Sequence, residues 1–446
     1  MTILPARLRA VFSSMRFHDC RLLWFAVATA NSGRWIMMLG AGSVLYSMTH
    51  SSFLVGASFF TLQVPVLFIS PLAGTWADTR DRRHLLAMSL ALACVASGVL
   101  TFLSLTHLLT WWAILCATLL LGISSSIQGT ASNALLPSLV PSASLPNAVA
   151  LQGTGRQGAE FLGPLLASPL LVVGGPAAVF GLAFVCNLMA TLLPYRMEQG
   201  PKTVYVAPRR PFDPLREGLR YLKRAPVLRF IMLLVALHCS LTMTYQALLP
   251  EFVHGLMSHG GATGMAGGGM AGMTMDGADA AYGMLMTMVG LGAIVGTLTL
   301  AAMTTRAAYN MSYVVSALGS GAALLLLGMS PIYPVALVAA FSAGATQAVF
   351  MAVSLLFLQE RAADAFRGRV TSVYSFFAGG TMAAMSWGSG GMATIIAPGT
   401  IMMILGGAFV AFVAFAAYTS AAFQTLSRPV RGPLAIVPPL GVSNHP

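Results

Sequence analysis

Gly74-Thr75-Trp76-Ala77-Asp78-Thr79-Arg80-Asp81-Arg82-Arg83 holds five charged side chains in a 446-residue chain that is only 8% charged. On both sides the chain turns apolar at once, near 52–75 and 85–106. Each run reaches the roughly 20 residues that a helix needs to cross hydrocarbon. The charged stretch therefore reads as a short polar turn between two membrane spans. The whole chain agrees: hydrophobic residues make up 57% of it and mean hydropathy is +0.79, whereas a soluble globular protein carries about 25% charged residues. A soluble enzyme is excluded.

Working outward, apolar runs of membrane length fall near 20–47, 52–75, 85–106, 110–136, 146–173 and 175–195. A second set falls near 226–250, 282–303, 310–329, 332–358, 369–395 and 399–423. The expected fold is an all-α membrane protein with twelve transmembrane helices in two six-helix pseudo-repeats. Its divisions are an amino-terminal half at 1–195, a basic linker at 196–225 rich in Arg and Pro, and a carboxy-terminal half at 226–423 with an outer loop at 254–281. A tail follows at 424–446.

All but Arg34 and Arg156 of the 24 Lys and Arg residues lie in or beside the segments on one side of the bilayer. Positive residues are retained on the cytoplasmic side, so both termini are expected there, and the net charge of +12 needs no nucleic acid to explain it. The five cysteines fall at or within apolar runs in no CxxC pair, which argues against a disulfide or metal framework.

The turn between the second and third helices resembles the signature of the major facilitator superfamily, with Gly74, Asp78, Arg82 and Arg83 at matching positions. It departs at one place, where Thr79 takes the usual basic position and Arg80 follows. Leu135 to Pro141 running into Leu145 to Leu151, Arg224 to Arg229, and Arg367 to Tyr374 narrow the likeness to the bacterial drug and siderophore exporters. The resemblance implies a substrate path between the halves near the bilayer midplane. It also implies a cytoplasmic latch in which Asp78 faces the positive amino terminus of helix eleven, helped by Arg367 and Arg369. Gly163-Pro164 on helix five looks like a relaxed antiporter signature, where small residues allow close helix approach and proline bends the chain.

Charged groups at membrane depth are functional candidates. Arg34 in helix one and Glu160 in helix five each lie 14 residues beyond their helix starts at Cys20 and Pro146, about 21 Å up at 1.5 Å per residue. They read as partners at equal depth, with Arg156, one turn before Glu160, as the competing partner. Related exporters carry the opposite charges at these two places, which looks like a swapped pair. Helix seven adds His238 and Tyr245, seven residues apart and so on one face of a continuous helix; His238 and Glu160 are the proton candidates. Gly153-x-Gly155-x-x-Gly158 spells a dinucleotide fingerprint but lacks the preceding strand, so it reads as helix packing.

The outer connection holds His254, Met257, His259, Met270, Met273 and Met275 among eight glycines from Gly255 to Gly272. Thioether and imidazole ligands suit Cu(I), so a metal-related facilitator is the second expectation. The first is a secondary transporter of the bacterial cytoplasmic membrane. It would act as a monomer without a cofactor and export a small amphipathic molecule, a drug or siderophore, by alternating access against a proton gradient. The partners are then that small molecule and the lipid bilayer. A non-transporting membrane sensor is a third and weaker expectation. No Walker P-loop, GxSxG or HExxH sequence is present, which leaves ATP drive and hydrolysis without support.

Overall fold

Residues 13–198, 212–260, 275–363 and 366–420 are described in a computed structural model; the side chains of Asp78, Ala143, His259, Met275 and Asp276 fall outside that description. Thirteen α-helices and no strand occur among the described residues. They are α1 (His18–Thr49), α2 (Ser52–Thr79), α3 (Arg82–Leu105), α4 (Trp111–Leu139), α5 (Leu145–Leu192), α6 (Asp213–Arg224) and α7 (Pro226–Leu241). They continue with α8 (Leu249–Gly260), α9 (Met275–Ala301), α10 (Arg306–Gly328), α11 (Tyr333–Arg361), α12 (Arg367–Met392) and α13 (Pro398–Thr419). Helices dominate because hydrocarbon offers no hydrogen-bond partner, so each span must satisfy its own backbone.

The first unit, Met1–Pro211 with Gly272–Gly290, is built on α1 against α5. Trp24 and Trp35 of α1 meet Gly155 and Gly163 of α5 in rising order, whereas Gly33 and Gly40 meet Asn187 and Phe180 in falling order. The two arms of α5 therefore run in opposite directions and count as two passes. The reversal lies at Gly175, whose φ of 64° falls in the left-handed region that glycine enters without the Cβ penalty. This is the break between 146–173 and 175–195 that the apolar runs indicate.

The second unit, Phe212–Ala271 with Leu291–Pro446, packs around Phe350. Tyr313 stacks on its ring at 5.1 Å, His238 lies 4.3 Å from it, and Phe409 meets it edge-on at 6.3 Å. Two features differ from the sequence-based expectation. The linker contains α6, because Leu215, Leu219 and Leu222 recur at helical spacing and pack into the core of this unit. The seventh span is not one helix: α7 ends at Leu241, a 3-10 turn occupies Thr244–Ala247, and α8 restarts at Leu249. The carbonyl of Thr242, freed by the break, accepts from Gln347 Nε2 at 2.8 Å. With α7 and α8 counted as one pass and α5 as two, the described helices can make the expected twelve passes, with α6 beside them; among the described residues nine helices, α5 counted once, are long and apolar enough to cross a membrane by length and composition alone.

The repeat is visible in the packing. In the first unit Arg82, opening α3, donates to the Ala134 carbonyl near the end of α4 at 2.8 Å. In the second, Arg306, opening α10, pairs with Glu360 near the end of α11. Close approach also repeats: a Cβ on Gly122 would lie 2.3 Å from the Leu62 carbonyl oxygen, and one on Gly292 would lie 2.0 Å from that of Phe341. Gly122→Val and Gly292→Val should therefore each destabilise the detergent-solubilised protein by about 1–3 kcal/mol through overpacking. Gly158→Ala, with no atom within 4 Å of the added Cβ, should leave the thermal unfolding midpoint in place.

Candidate functional site

The intramembrane charges gather on the first unit. Because Trp35 of α1 lies against Gly163 of α5, with the added Cβ only 2.6 Å from the Trp35 Cβ, Arg34 and Glu160 stand within about one helical turn of each other in height. Glycine at 163 permits that approach, and the buried Pro164 follows it. Arg34 and Glu160 are half-buried and Arg156 is exposed, so all three reach solvent-accessible surface while lying on long apolar helices. Among the described residues no ion pair within 4.0 Å joins Glu160 to either arginine. The expected direct contact is thus corrected to a longer-range one. Glu160 attracts Arg34 and Arg156 repels it, leaving a cluster of two cations and one anion without a closed pair.

His238 and Tyr245 do not share a helix face, because the helix stops between them. His238 is fully buried. Its Nδ1 meets Thr242 Oγ1 at 3.0 Å and Ser320 Oγ at 3.3 Å, and its ring lies between Phe350 and Phe409. Tyr245 is also fully buried. These surroundings are those of a packed core.

In the expected latch, Asp78 belongs to α2 but its side chain lies outside the described residues. Gly74 has no atom within 4 Å of an added Cβ. Arg82 also donates to the Ala77 carbonyl at 3.0 Å, and Arg83 donates to the carbonyls of Met197 at 2.5 Å and Tyr195 at 3.2 Å. The pair therefore ties together carbonyls near the ends of α2 and α4 and in the turn that follows α5. Nearby, burial opposes ionisation of Asp81, yet N–H groups of Arg83 and His84 outweigh it and hold the carboxyl below its ordinary pKa. Arg367 donates to the Gln359 carbonyl at 3.1 Å and Arg369 pairs with Glu217 of α6 at 2.8 Å.

His254 and Met257 are half-buried on α8. His259 and Met275 lie in helices with their side chains outside the described residues, and Met270 and Met273 lie outside them altogether. Of the Gly153, Gly155 and Gly158 spelling, only Gly155 presses on a neighbour, Trp24, so packing accounts for one glycine and not three.

Asp279 escaped the sequence-based reading, which begins helix eight at 282. The helix starts at Met275, and Asp279 accepts a hydrogen bond from Ser43 Oγ of α1. Ser168 of α5 donates to the Ala280 carbonyl at 3.2 Å. Gly283 and Gly290, seven residues apart and hence on one face, press on Ser168 and on the backbone of Glu160 and Phe161. That glycine spacing was the available signal.

Three comparisons bear on this arrangement. Residues 9–429 match the family described as transmembrane secretion effector. The staphyloferrin A transporter of Staphylococcus aureus is 25% identical over 66% of this chain and 69% of its own. The enterobactin exporter EntS of Shigella boydii is 26% identical over 74% of each chain. Among solved structures, a D-xylose-proton symporter superposes with a TM-score of 0.68 at 13% identity over 93% of this chain and 100% of its own. The nucleoside transporter NupG gives 0.66 at 13% identity over 92% and 99%. These structures share the fold.

Arg34→Glu and Glu160→Arg should each lower transport, since the first leaves two carboxylates with one cation and the second leaves three cations on one surface. The double variant should recover part of the loss, with a coupling energy of about 1 kcal/mol, while the same exchange between Arg156 and Glu160 should recover less. A double-variant cycle of transport rates in proteoliposomes measures both.

Proposed function

Because the chain belongs to the transmembrane secretion effector family of the major facilitator superfamily, we propose that it is a proton-coupled exporter of a siderophore or a similar oxygen-rich, anionic small molecule. The observation that carries this reading is the solvent-accessible cluster of Arg34, Arg156 and Glu160 at membrane depth. Its two guanidiniums outnumber its one carboxylate, and guanidinium forks match carboxylate and other oxygen anions in bidentate geometry. The siderophore-named relatives support the same class of cargo. The protein then works by alternating access as a monomer of the bacterial inner membrane, with both termini in the cytoplasm, where positive residues are retained. A proton gradient supplies the drive and no cofactor is needed.

Within this proposal Glu160 carries the proton. It is only half-buried by protein, whereas His238 is sealed among aromatic rings and hydroxyls. The proton and the cargo occupy the site in alternation: Glu160 takes its proton on the outer side once the cargo has left and gives it up to the cytoplasm before the next cargo binds, so protons move inward as cargo moves outward. Asp78 is assigned the latch role by its place in the signature turn.

An acid-inside pH gradient imposed on proteoliposomes should drive siderophore accumulation in the lumen that a protonophore abolishes. Glu160→Gln should lose the response to the gradient and keep downhill exchange, His238→Gln should keep both, and Asp78→Asn should slow transport while leaving binding intact. Gradient-driven accumulation by Glu160→Gln at the wild-type rate would remove the proton from that residue. No flux of any siderophore by the wild-type protein would overturn the cargo class.

A further inference from the structure

The α6 helix places its two faces in different surroundings. Leu215, Gly218, Leu219 and Leu222 form the inner face: Leu222 is buried in the core and a Cβ on Gly218 would lie 2.7 Å from the Arg369 carbonyl oxygen. Arg216, Arg220, Lys223 and Arg224 form an exposed outer face. The helix is pinned at its middle, where the Tyr221 ring stacks on Phe366 at 4.5 Å and 11° and its hydroxyl accepts from the Ala363 N–H at 3.2 Å. Glu217, an acid close to the outer face, is already engaged by Arg369 at 2.8 Å.

Beside that ion pair lies a recess of about 440 Å³ lined by Glu217, Arg220, Tyr221, Arg224, Phe366 and Arg369. Arg369 stands over the Phe366 ring at 4.6 Å, which fixes the guanidinium. With Glu217 and Arg369 balancing each other, Arg220 and Arg224 leave the recess with two positive charges that no ion pair compensates among the described residues. Its height is set by the chain: Ala225 alone separates Arg224 from Pro226, the first residue of a membrane span. Arg220 and Arg224 are thus within about two helical turns of the hydrocarbon, at the depth of lipid headgroups, where aromatic and basic side chains collect.

We propose that this recess binds the phosphate of an anionic phospholipid from the adjoining leaflet, with Arg220 and Arg224 on the phosphate and Tyr221 and Phe366 as the wall toward the glycerol. Charge complementarity and the one-residue distance to the span single out a lipid over a soluble anion. The inference is independent of what the protein exports, since it needs only a chain that spans a membrane. Because α6 rests on α12 at Gly218 and Arg369, a bound headgroup holds α6 against the helix that opens with Arg367.

The test uses the purified full-length protein in detergent, incubated with phosphatidylglycerol or phosphatidylcholine and examined by native mass spectrometry. The wild-type protein should retain phosphatidylglycerol in preference to phosphatidylcholine. Arg220→Gln with Arg224→Gln should weaken that retention by about 30-fold, the effect of two cations near a charged surface. Arg220→Lys with Arg224→Lys should keep most of it. Raising salt from about 0.1 M to about 0.5 M should release the lipid from the wild-type protein, since exposed charges are screened; this reading does not depend on any variant folding. Equal retention by the Gln double variant, or retention indifferent to salt, would overturn the proposal. Displacement of the lipid by millimolar inorganic phosphate would assign the recess to a free anion and overturn it as well.

Discussion

Hydrocarbon neither donates nor accepts hydrogen bonds, and the hydroxyls and amides inside the described spans are arranged largely under that constraint. Hydroxyls inside the spans turn back on their own helices, as Ser58 does to the Val55 carbonyl and Ser126 to that of Gly122. Asn187, deep in the first unit, donates to Ser97. Where the seventh span breaks, Gln347 supplies the missing donor. Near the end of α4 and in the turn after α5, Arg82 and Arg83 donate to backbone carbonyls. Against this background Arg34, Arg156 and Glu160 are different in kind. They have no ion pair within 4.0 Å among the described residues and they reach accessible surface. Charged groups persist at such depth only with water or a ligand to solvate them.

Composition made the helical passes legible because a span announces itself by length and apolar content alone. Counting residues from helix starts was enough to put Arg34 and Glu160 at similar heights, since the rise per residue is constant. Side-chain contact was not legible, because it depends on how each helix is rotated, and the sequence contains that information only through distant partners. The break after Leu241 shows the same limit. Ser240-Leu241-Thr242-Met243-Thr244 contains neither proline nor glycine, and the residue that stabilises the break, Gln347, lies 105 positions away. His238 and Tyr245 were placed on one face by a periodicity that the chain abandons between them.

Two other misses have local causes. Residues 196–225 contain four prolines and eight basic residues, which read as a solvated linker and obscured a short amphipathic repeat in Leu215, Leu219 and Leu222. Asp279 was hidden by its neighbourhood, because a glycine- and methionine-rich stretch gives no helix-start signal and the apolar run proper begins only later. The general lesson concerns polar residues near span boundaries: their assignment shifts by a full turn with a small error in the helix start, and a full turn separates a loop from a packed interface.

The packing of α9 gives the charge cluster a mechanical consequence. This helix is divided between the two compact units at Gly290. A Cβ on Gly290 would lie 2.7 Å from the backbone oxygen of Glu160 and 2.6 Å from the Cα of Phe161. The turn of α5 that presents the Glu160 carboxyl is thus the same turn on which α9 rests, and the backbone-to-backbone fit leaves no soft side chain to absorb a displacement. Seven residues earlier, Gly283 makes an equally close fit to Ser168, and Asp279 adds a hydrogen bond to Ser43. Coupling between a charge and a conformational change requires an element with discrete arrangements whose balance the charge biases. Within the first unit, the fit of α9 to the turn that carries Glu160 ties any shift of that carboxyl to a shift of this helix.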